Sequence, residues 1–166
     1  LGKRRYPGFE LAPPFEFLGR LVAGFFFLVY GARGSGKSTW TLGLARALVE
    51  LAPLVYVSGE EDHGPTLSMR IRRMDAGHPD FHVALWTERG AAAVLEVVDR
   101  TGAKFVVVDS ATRIDPSSKK VQELWAALKA RNVALIAIGH ATQTGLPKVG
   151  GTFLEHEVHT LVRVEK

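Results

Sequence analysis

A glycine-rich segment between an apolar run and a helical pattern constrains the fold of this chain most strongly. Gly31, Gly36, Lys37 and Ser38 fit the pattern Gly-x-x-x-x-Gly-Lys-[Ser/Thr]. Residues 25–30 before it are aromatic and β-branched, which is typical of a strand, and apolar residues recur at helical spacing after it. Glycines adopt backbone angles closed to other residues, so successive N–H groups can turn onto an anion at a helix N-terminus. The sequence therefore predicts a strand, loop and helix that together bind phosphate.

The positions of this loop differ in what they offer a phosphate. Lys37 supplies a mobile cation for the outer phosphates of a nucleotide, and the Ser38 hydroxyl can join the shell of a magnesium ion. We therefore expect ATP with Mg²⁺ as the cofactor. The alternative is a glycine-rich turn whose lysine is merely solvated. The predicted nucleotide-binding residues are Gly31, Arg33, Gly34, Ser35, Gly36, Lys37, Ser38 and Thr39.

Apolar runs and helical patterns alternate along the rest of the chain. Strands are predicted at residues 25–30, 54–57, 82–86, 105–108, 133–138 and 158–164. Helices are predicted at residues 37–51, 66–74, 88–100 and 119–131. Because the strands are continuously apolar, both faces of their sheet should be covered. We predict an α/β fold with a mainly parallel, twisted sheet and helices on both faces.

A chain of 166 residues is expected to form one domain around one core. Residues 1–14 contain a basic cluster at 3–5 and two prolines at 13–14, so we predict an arm that lies across the surface rather than joining the sheet. Residues 15–166 then form the nucleotide-binding domain. The longest apolar run, residues 21–30, falls well short of the roughly 20 residues that cross a bilayer, and we interpret it as a buried strand.

Composition narrows the class of protein further. A content of 46% hydrophobic and 23% charged residues is typical of a folded globular protein. The absence of cysteine excludes disulfides and thiolate metal sites. The formal charge of +4 permits a polyanionic partner such as nucleic acid, although the same charge can belong to a solvated surface. We expect a cytoplasmic protein with no membrane partner. Because the chain begins at Leu1 rather than at methionine, we expect it to be a trimmed form of the natural chain.

Carboxylates follow two of the predicted strands. Asp109 ends the strand at residues 105–108, where an aspartate can hold magnesium, mostly through water. Glu60 is the first carboxylate after the strand at residues 54–57, at the edge where parallel sheets bind ligands, and it is our candidate for the general base. The acidic residues at 61–62 can instead complement the dipole of the following helix.

A histidine follows a further strand at the same edge. His140 comes directly after Gly139, at the end of the run 133–138, where a polar group can detect the terminal phosphate and affect the next loop. An ordinary capping histidine is the alternative. The other histidines show no metal-ligand spacing, so we assign no metal beyond magnesium.

Several short segments in order along the chain carry a family resemblance. They are Leu18-Gly19-Arg20-Leu21-Val22-Ala23-Gly24, Tyr56-Val57-Ser58-Gly59-Glu60-Glu61, Val107-Val108-Asp109-Ser110, Gly139-His140-Ala141-Thr142 and Leu154-Glu155-His156. Together with the glycine-rich loop they resemble the ATPase core of the bacterial RadA/Sms repair proteins, within the RecA superfamily. The resemblance covers residues 15–166. It includes neither the cysteines of that family's zinc module nor its Lys-Asn-Arg-Phe-Gly motif.

This resemblance implies both a fold and an activity. It implies a RecA-like P-loop NTPase domain that hydrolyses ATP between adjacent subunits of a hexameric ring or filament and moves on single-stranded DNA in recombination or repair. Glu60 would activate water, and His140 would be the histidine of the Gly-His-x-Thr run. Candidate cations that reach a neighbouring subunit are Arg163, Lys166 and residues 3–5.

Other functions fit the same residues. In a DNA motor, phosphates of the strand would meet Arg113, Lys119, Lys120 and Lys148. The alternatives are a replicative helicase of the RepA or DnaB type and a KaiC-like protein whose ATP serves subunit assembly or regulation. A small-molecule kinase is weaker, because the long lid expected over its substrate is not evident.

Overall fold

A six-stranded sheet, parallel throughout, forms the centre of the protein. The computed structural model describes residues 8–59, 68–69, 71–72, 77–142, 144–147 and 156–165. The strands are β1 (Gly8–Glu10), β2 (Arg20–Val22), β3 (Phe26–Gly31), β4 (Leu54–Ser58), β5 (Phe81–Leu85), β6 (Phe105–Asp109), β7 (Ala134–His140) and β8 (Thr160–Arg163). The central sheet has the order β5-β4-β6-β7-β3-β8. The prediction of a mainly parallel sheet is confirmed.

Helices cover both faces of this sheet, as the continuously apolar strands predict. They are α1 (Lys37–Val49), α2 (Ala91–Thr101), α3 (Ala111–Ile114) and α4 (Lys119–Ala130), with a short 3₁₀ helix at Glu16–Leu18. Successive side chains of β3 point to opposite faces. Phe27 therefore packs in the cluster that contains Leu48 of α1, whereas Phe26 packs in the cluster that contains Val98 of α2 and Trp125 of α4.

The apolar run at residues 21–30 is divided between strands of different sheets, so its interpretation as a buried strand is wrong. β2 ends at Val22, and β3 begins only at Phe26. Gly24 between them has a φ of 72°, which an apolar side chain rarely tolerates. The turn at this glycine sends β2 into a separate two-stranded antiparallel sheet with β1.

The N-terminal residues that the structure describes lie against the core. Residues 8–14 stay out of the central sheet, and the Phe9 ring meets the Phe105 ring edge-on at 5.0 Å between centroids. Leu11 is buried in the same cluster. Residues 1–7 lie outside the described residues, so the division into an arm and a domain stays a prediction.

Several helix boundaries differ from the sequence-based expectation. The helix expected at residues 88–100 begins at Ala91, because the N–H of Gly90 closes a turn onto the carbonyl of Thr87 (2.9 Å). Of the helix expected at residues 66–74, the structure describes 68–69 and 71–72, which are helical, and the rest lies outside the described residues. The short helix α3 was not predicted. Among the described residues, no helix has both the length and the apolar character that a membrane crossing requires.

Candidate nucleotide site

A cavity of about 700 Å³ lies where β3, β6 and β7 end. Strand register explains why these ends meet: Gly31 of β3 pairs with His140 of β7, and Ile138 of β7 pairs with Asp109 of β6. The lining residues are Arg33, Gly34, Gly36, Lys37, Ser38, Thr39, Asp109, Ser110, Arg113, Ile138, His140 and Ala141. The structure thus brings together most of the predicted site residues.

The glycine-rich loop presents its backbone to this cavity. Gly34 and Gly36 have φ angles of 74° and 95°, a region that residues with side chains rarely enter. A β-carbon added to either would meet nothing within 4 Å, so the backbone angle rather than crowding favours glycine there. Gly36 directly precedes α1, a helix of 13 residues whose N-terminus carries partial positive charge. The loop therefore has the open, electropositive backbone that an anion needs.

Lys37 places a cation within this loop. Its side chain is only 6% exposed, and its Nζ donates a hydrogen bond to the carbonyl of Ala32 (2.6 Å). Burial lowers the pKa of Lys37 from its ordinary value, and the Asp109 carboxylate opposes this effect by raising it. Because the ammonium group has three donors, phosphate oxygens can accept the others. A polyphosphate would also offset the cost of holding this charge out of water.

Asp109 is held by a tyrosine on the neighbouring strand. The Tyr56 hydroxyl donates to Oδ2 of Asp109 (2.7 Å), and the tyrosine is 1% exposed. β4 and β6 pair in parallel, with Ser58 beside Asp109. The chain leaves β4 through Gly59, whose N–H donates to the Asp109 carbonyl (2.7 Å). The predicted base Glu60 follows directly but lies outside the described residues.

Buried serine hydroxyls test whether the site fits a nucleotide. The Oγ atoms of Ser35 and Ser110 are buried and have no hydrogen-bond partner within the described part of the chain. Leaving such a group unpaired costs about 1–3 kcal/mol. Ser110 lines the first cavity, and Ser35 lines a second cavity of about 750 Å³. These hydroxyls fit an oxygen-rich ligand, and with Ser38 and Asp109 they fit one that carries magnesium.

The second cavity continues the first. Both are lined by Arg33 and Ala141, and the second also contacts Thr142, Arg163 and Glu165. Lys37, Ser38 and Asp109 mark the first cavity as the place for phosphates and metal. An extended nucleotide would then reach its nucleoside part towards the second.

His140 is tied to neighbouring elements through the backbone. Its N–H donates to Oγ1 of Thr112 in α3 (3.1 Å), and the N–H of Ala141 donates to the carbonyl of Gly31 (3.1 Å). Beyond it, the N–H of Thr142 donates to the Leu146 carbonyl (2.6 Å) and closes a tight turn. His140 therefore stands between the phosphate loop, α3 and the segment that follows β7.

Comparison with known proteins places the chain in a family. Residues 12–145 match the AAA domain family AAA_25. This chain belongs to that family. Its AAA domain is 31% identical over 159 residues to the DNA repair protein RadA of Streptococcus pneumoniae, covering 89% of this chain and 37% of the relative. It is 31% identical over 160 residues to the RadA of Mycobacterium tuberculosis, covering 89% and 33%. The chain thus spans about a third of the length of these relatives, and its resemblance to a RadA-like core of the RecA superfamily is confirmed.

Solved structures show the fold of this AAA domain. The KaiC-like protein PH0186 of Pyrococcus horikoshii aligns with a TM-score of 0.72 at 17% identity, covering 96% of this chain and 81% of that one. The flagellar accessory protein FlaH of Methanocaldococcus jannaschii aligns with a TM-score of 0.66 at 14% identity, covering 96% and 80%. The RecA-like P-loop fold is confirmed.

Some contacts of this AAA domain were not expected from the sequence. Arg113 lines the cavity with Lys37, which was not expected, and its predicted contact with DNA stays a prediction. Arg163, predicted to reach a neighbour, lines the second cavity of its own chain and pairs with Glu165 (2.7 Å). Tyr56 was missed, although a hydroxyl at the end of an apolar strand was a usable signal. Lys166, Lys148 and residues 3–5 lie outside the described residues.

Replacing Tyr56 by phenylalanine should weaken magnesium use. The ring and its packing stay, but Asp109 loses the hydroxyl that holds its Oδ2 atom. Removing a partner that orients a metal ligand typically costs roughly 10–100-fold in metal affinity, so we expect the magnesium requirement for nucleotide binding to rise about tenfold. Titrating Mg²⁺ at fixed ATP measures this. Tyr30→Phe, on β3, is the matched control. An unchanged requirement in Tyr56→Phe would contradict the assignment of Asp109 to magnesium.

Proposed function

We propose that this chain is the ATP-hydrolysing core of a DNA-dependent motor that acts on single-stranded DNA in recombination or repair. The carrying observation is that Lys37, Asp109 and His140 converge on one cavity at the strand ends. Their order along the chain and the 31% identity to proteins named DNA repair protein RadA support the same reading.

Different residues of the chain would have different roles in nucleotide hydrolysis. The loop N–H groups and Lys37 would hold the phosphates, and Ser38 and Asp109 would hold the magnesium ion, which neutralises phosphate charge when bound. Glu60 would orient and deprotonate the attacking water. The hydrogen bond from Gly59 to Asp109 supports this, because it fixes the chain beside the magnesium ligand one residue before Glu60.

His140 would respond to the terminal phosphate and so change the position of the segment after β7. It lines the cavity, and the chain turns sharply between Thr142 and Leu146 two residues later. A change at His140 would therefore shift the start of the loop at residues 141–152. We assign this loop to DNA contact, although Gln143 and residues 148–152 lie outside the described residues.

Assembly into a hexameric ring or filament is part of the proposal. β8 is an edge of the central sheet, and Leu161 on it is 55% exposed. Exposed edge strands with apolar side chains are common places for chains to associate. Light scattering should show a larger mass when a non-hydrolysable ATP analogue is added. A monomer at every protein concentration, with and without the analogue, would contradict assembly.

Lysines at the start of α4 are the described candidates for DNA contact. Lys119 and Lys120 are exposed and lie at the cavity edge of the sheet, because α4 runs back from there to the start of β7. Two basic side chains near the end of α4 are paired with carboxylates, Lys129 with Glu157 (2.8 Å) and Arg131 with Asp99 (2.9 Å).

Removing both lysines should reduce the salt dependence of DNA binding. Each phosphate contact on a single strand contributes about 0.7 to the slope of log K against log salt, so Lys119→Ala with Lys120→Ala should lower that slope by about 1.4. Fluorescence anisotropy of a labelled oligonucleotide with an ATP analogue measures it. Arg89→Ala, at an exposed ion pair with Glu96, should leave the slope unchanged. Equal slopes for wild type and the double variant would show that these lysines do not contact DNA.

A further inference from the structure

The short helix α3 connects two strand ends at the candidate site. Thr112 accepts the N–H of His140 (3.1 Å), at the end of β7. At the end of β4, a β-carbon added to Gly59 would lie 2.8 Å from Cγ1 of Ile114, so helix and strand end are in close contact. The helix is itself anchored to Ser110, whose carbonyl accepts the N–H groups of Arg113 (3.1 Å) and Ile114 (3.2 Å). α3 therefore contacts two segments of the chain, the one that leads to Glu60 and the one that begins at His140.

The arginine on this helix faces the phosphate cavity. Arg113 lines the cavity together with Lys37, Ser38 and Asp109. Arg33 lines both cavities and so lies where they join, whereas Arg113 lines only the first. Arg113 thus lies in the cavity assigned to the phosphates and the metal, and not in the one assigned to the nucleoside part. Its guanidinium can donate two parallel hydrogen bonds to phosphate oxygens.

We propose that Arg113 binds the terminal phosphate of the nucleotide held by its own chain, and that α3 transmits a movement of Arg113 to the ends of β4 and β7. This rests on the proposed nucleotide function. Thr112 and Ile114 flank the arginine on the same short helix, so a shift of Arg113 towards phosphate moves both contacts. α3 therefore couples the binding of the terminal phosphate to the position of the chain just before Glu60 and just after His140.

Equilibrium binding of nucleotides with and without the terminal phosphate tests this assignment. Hydrogen bonds to charged groups are worth roughly tenfold or more in affinity, so Arg113→Ala should weaken a fluorescent non-hydrolysable ATP analogue about tenfold and ADP less than about threefold. Arg100→Ala, at an exposed arginine on α2 that does not line the cavity, should change neither affinity. Arg113→Lys should fall between wild type and alanine, because lysine keeps the charge but lacks the planar fork.

The outcomes separate this inference from the proposed function. Unchanged affinity for the ATP analogue in Arg113→Ala, with both nucleotides lost in Lys37→Ala, overturns the inference and leaves the nucleotide site intact. Equal weakening of ATP analogue and ADP, at an unchanged melting temperature, overturns the assignment to the terminal phosphate. A reduced salt slope for DNA with unchanged nucleotide affinity returns Arg113 to the DNA surface. If Lys37→Ala binds both nucleotides as tightly as the wild type does, the proposed function itself is contradicted.

Discussion

Replacing Lys37 by alanine is expected to abolish nucleotide binding. The lysine is 6% exposed, its Nζ rests on the Ala32 carbonyl, and it faces the cavity beside Asp109. Among the residues that the structure describes, no other lysine lines this cavity, so the variant removes the buried ammonium group that would contact the outer phosphates. Losing a charge-assisted contact in a partly desolvated site should weaken ATP by about a hundredfold or more. Isothermal titration calorimetry with ATP and Mg²⁺ measures this directly.

The control for Lys37 must remove a lysine without touching the cavity. Lys104 is exposed in the turn before β6, so Lys104→Ala should bind ATP as the wild type does. Because Lys37 is buried, the melting temperature of each variant separates lost binding from lost folding. A folded Lys37→Ala protein that binds ATP with unchanged affinity would show that the glycine-rich loop is not the phosphate site.

Replacing Glu60 by glutamine is expected to stop turnover while nucleotide binding persists. Glutamine keeps the size of the side chain but cannot take a proton from water. Loss of a general base typically costs about 10²–10⁴-fold in rate, so hydrolysis should fall by at least about a hundredfold. The affinity for ATP should change little, because Lys37, Ser38 and the loop N–H groups are untouched. Steady-state phosphate release together with calorimetry separates these quantities.

The neighbouring carboxylate offers a matched control for Glu60. Glu61→Gln changes the same charge one position further along the chain, where a role at the start of a helix is the alternative interpretation. We expect its hydrolysis rate to stay within about threefold of wild type, because Glu60 would still act as the base. Normal hydrolysis by Glu60→Gln, or a large loss in Glu61→Gln alone, would move the base away from Glu60.

Local patterns were enough to predict the sheet and the phosphate loop. The glycine-rich loop is recognisable because Gly31, Gly36 and Lys37 act at a fixed spacing between a strand and a helix. Continuously apolar strands indicate coverage on both faces, which only a few architectures provide. Asp109 and His140 could be placed at one edge because the carboxyl ends of parallel strands meet there.

Contacts between distant segments could not be read from these patterns. The hydrogen bond from Tyr56 to Asp109 joins residues 53 positions apart and depends on the register of β4 against β6. The hydrogen bond from the Trp125 indole N–H to Glu157 (2.8 Å) likewise joins residues that are far apart in sequence, by 32 positions. The position of Arg113 at the cavity was not predicted because α3 has only 4 residues, too few for a helical period to show. The turn at Gly24 was not predicted because one glycine in an apolar run does not by itself reveal a positive φ.

Steady-state ATP hydrolysis with and without single-stranded DNA tests whether this chain is a DNA-dependent motor. It should be measured at low and moderate salt, on the wild type and on Lys37→Ala. The account predicts magnesium-dependent hydrolysis that single-stranded DNA stimulates, stimulation that fades as salt rises, and none of this activity in Lys37→Ala. Hydrolysis that is indifferent to DNA at both salt concentrations would contradict the motor and favour a role in nucleotide-dependent assembly.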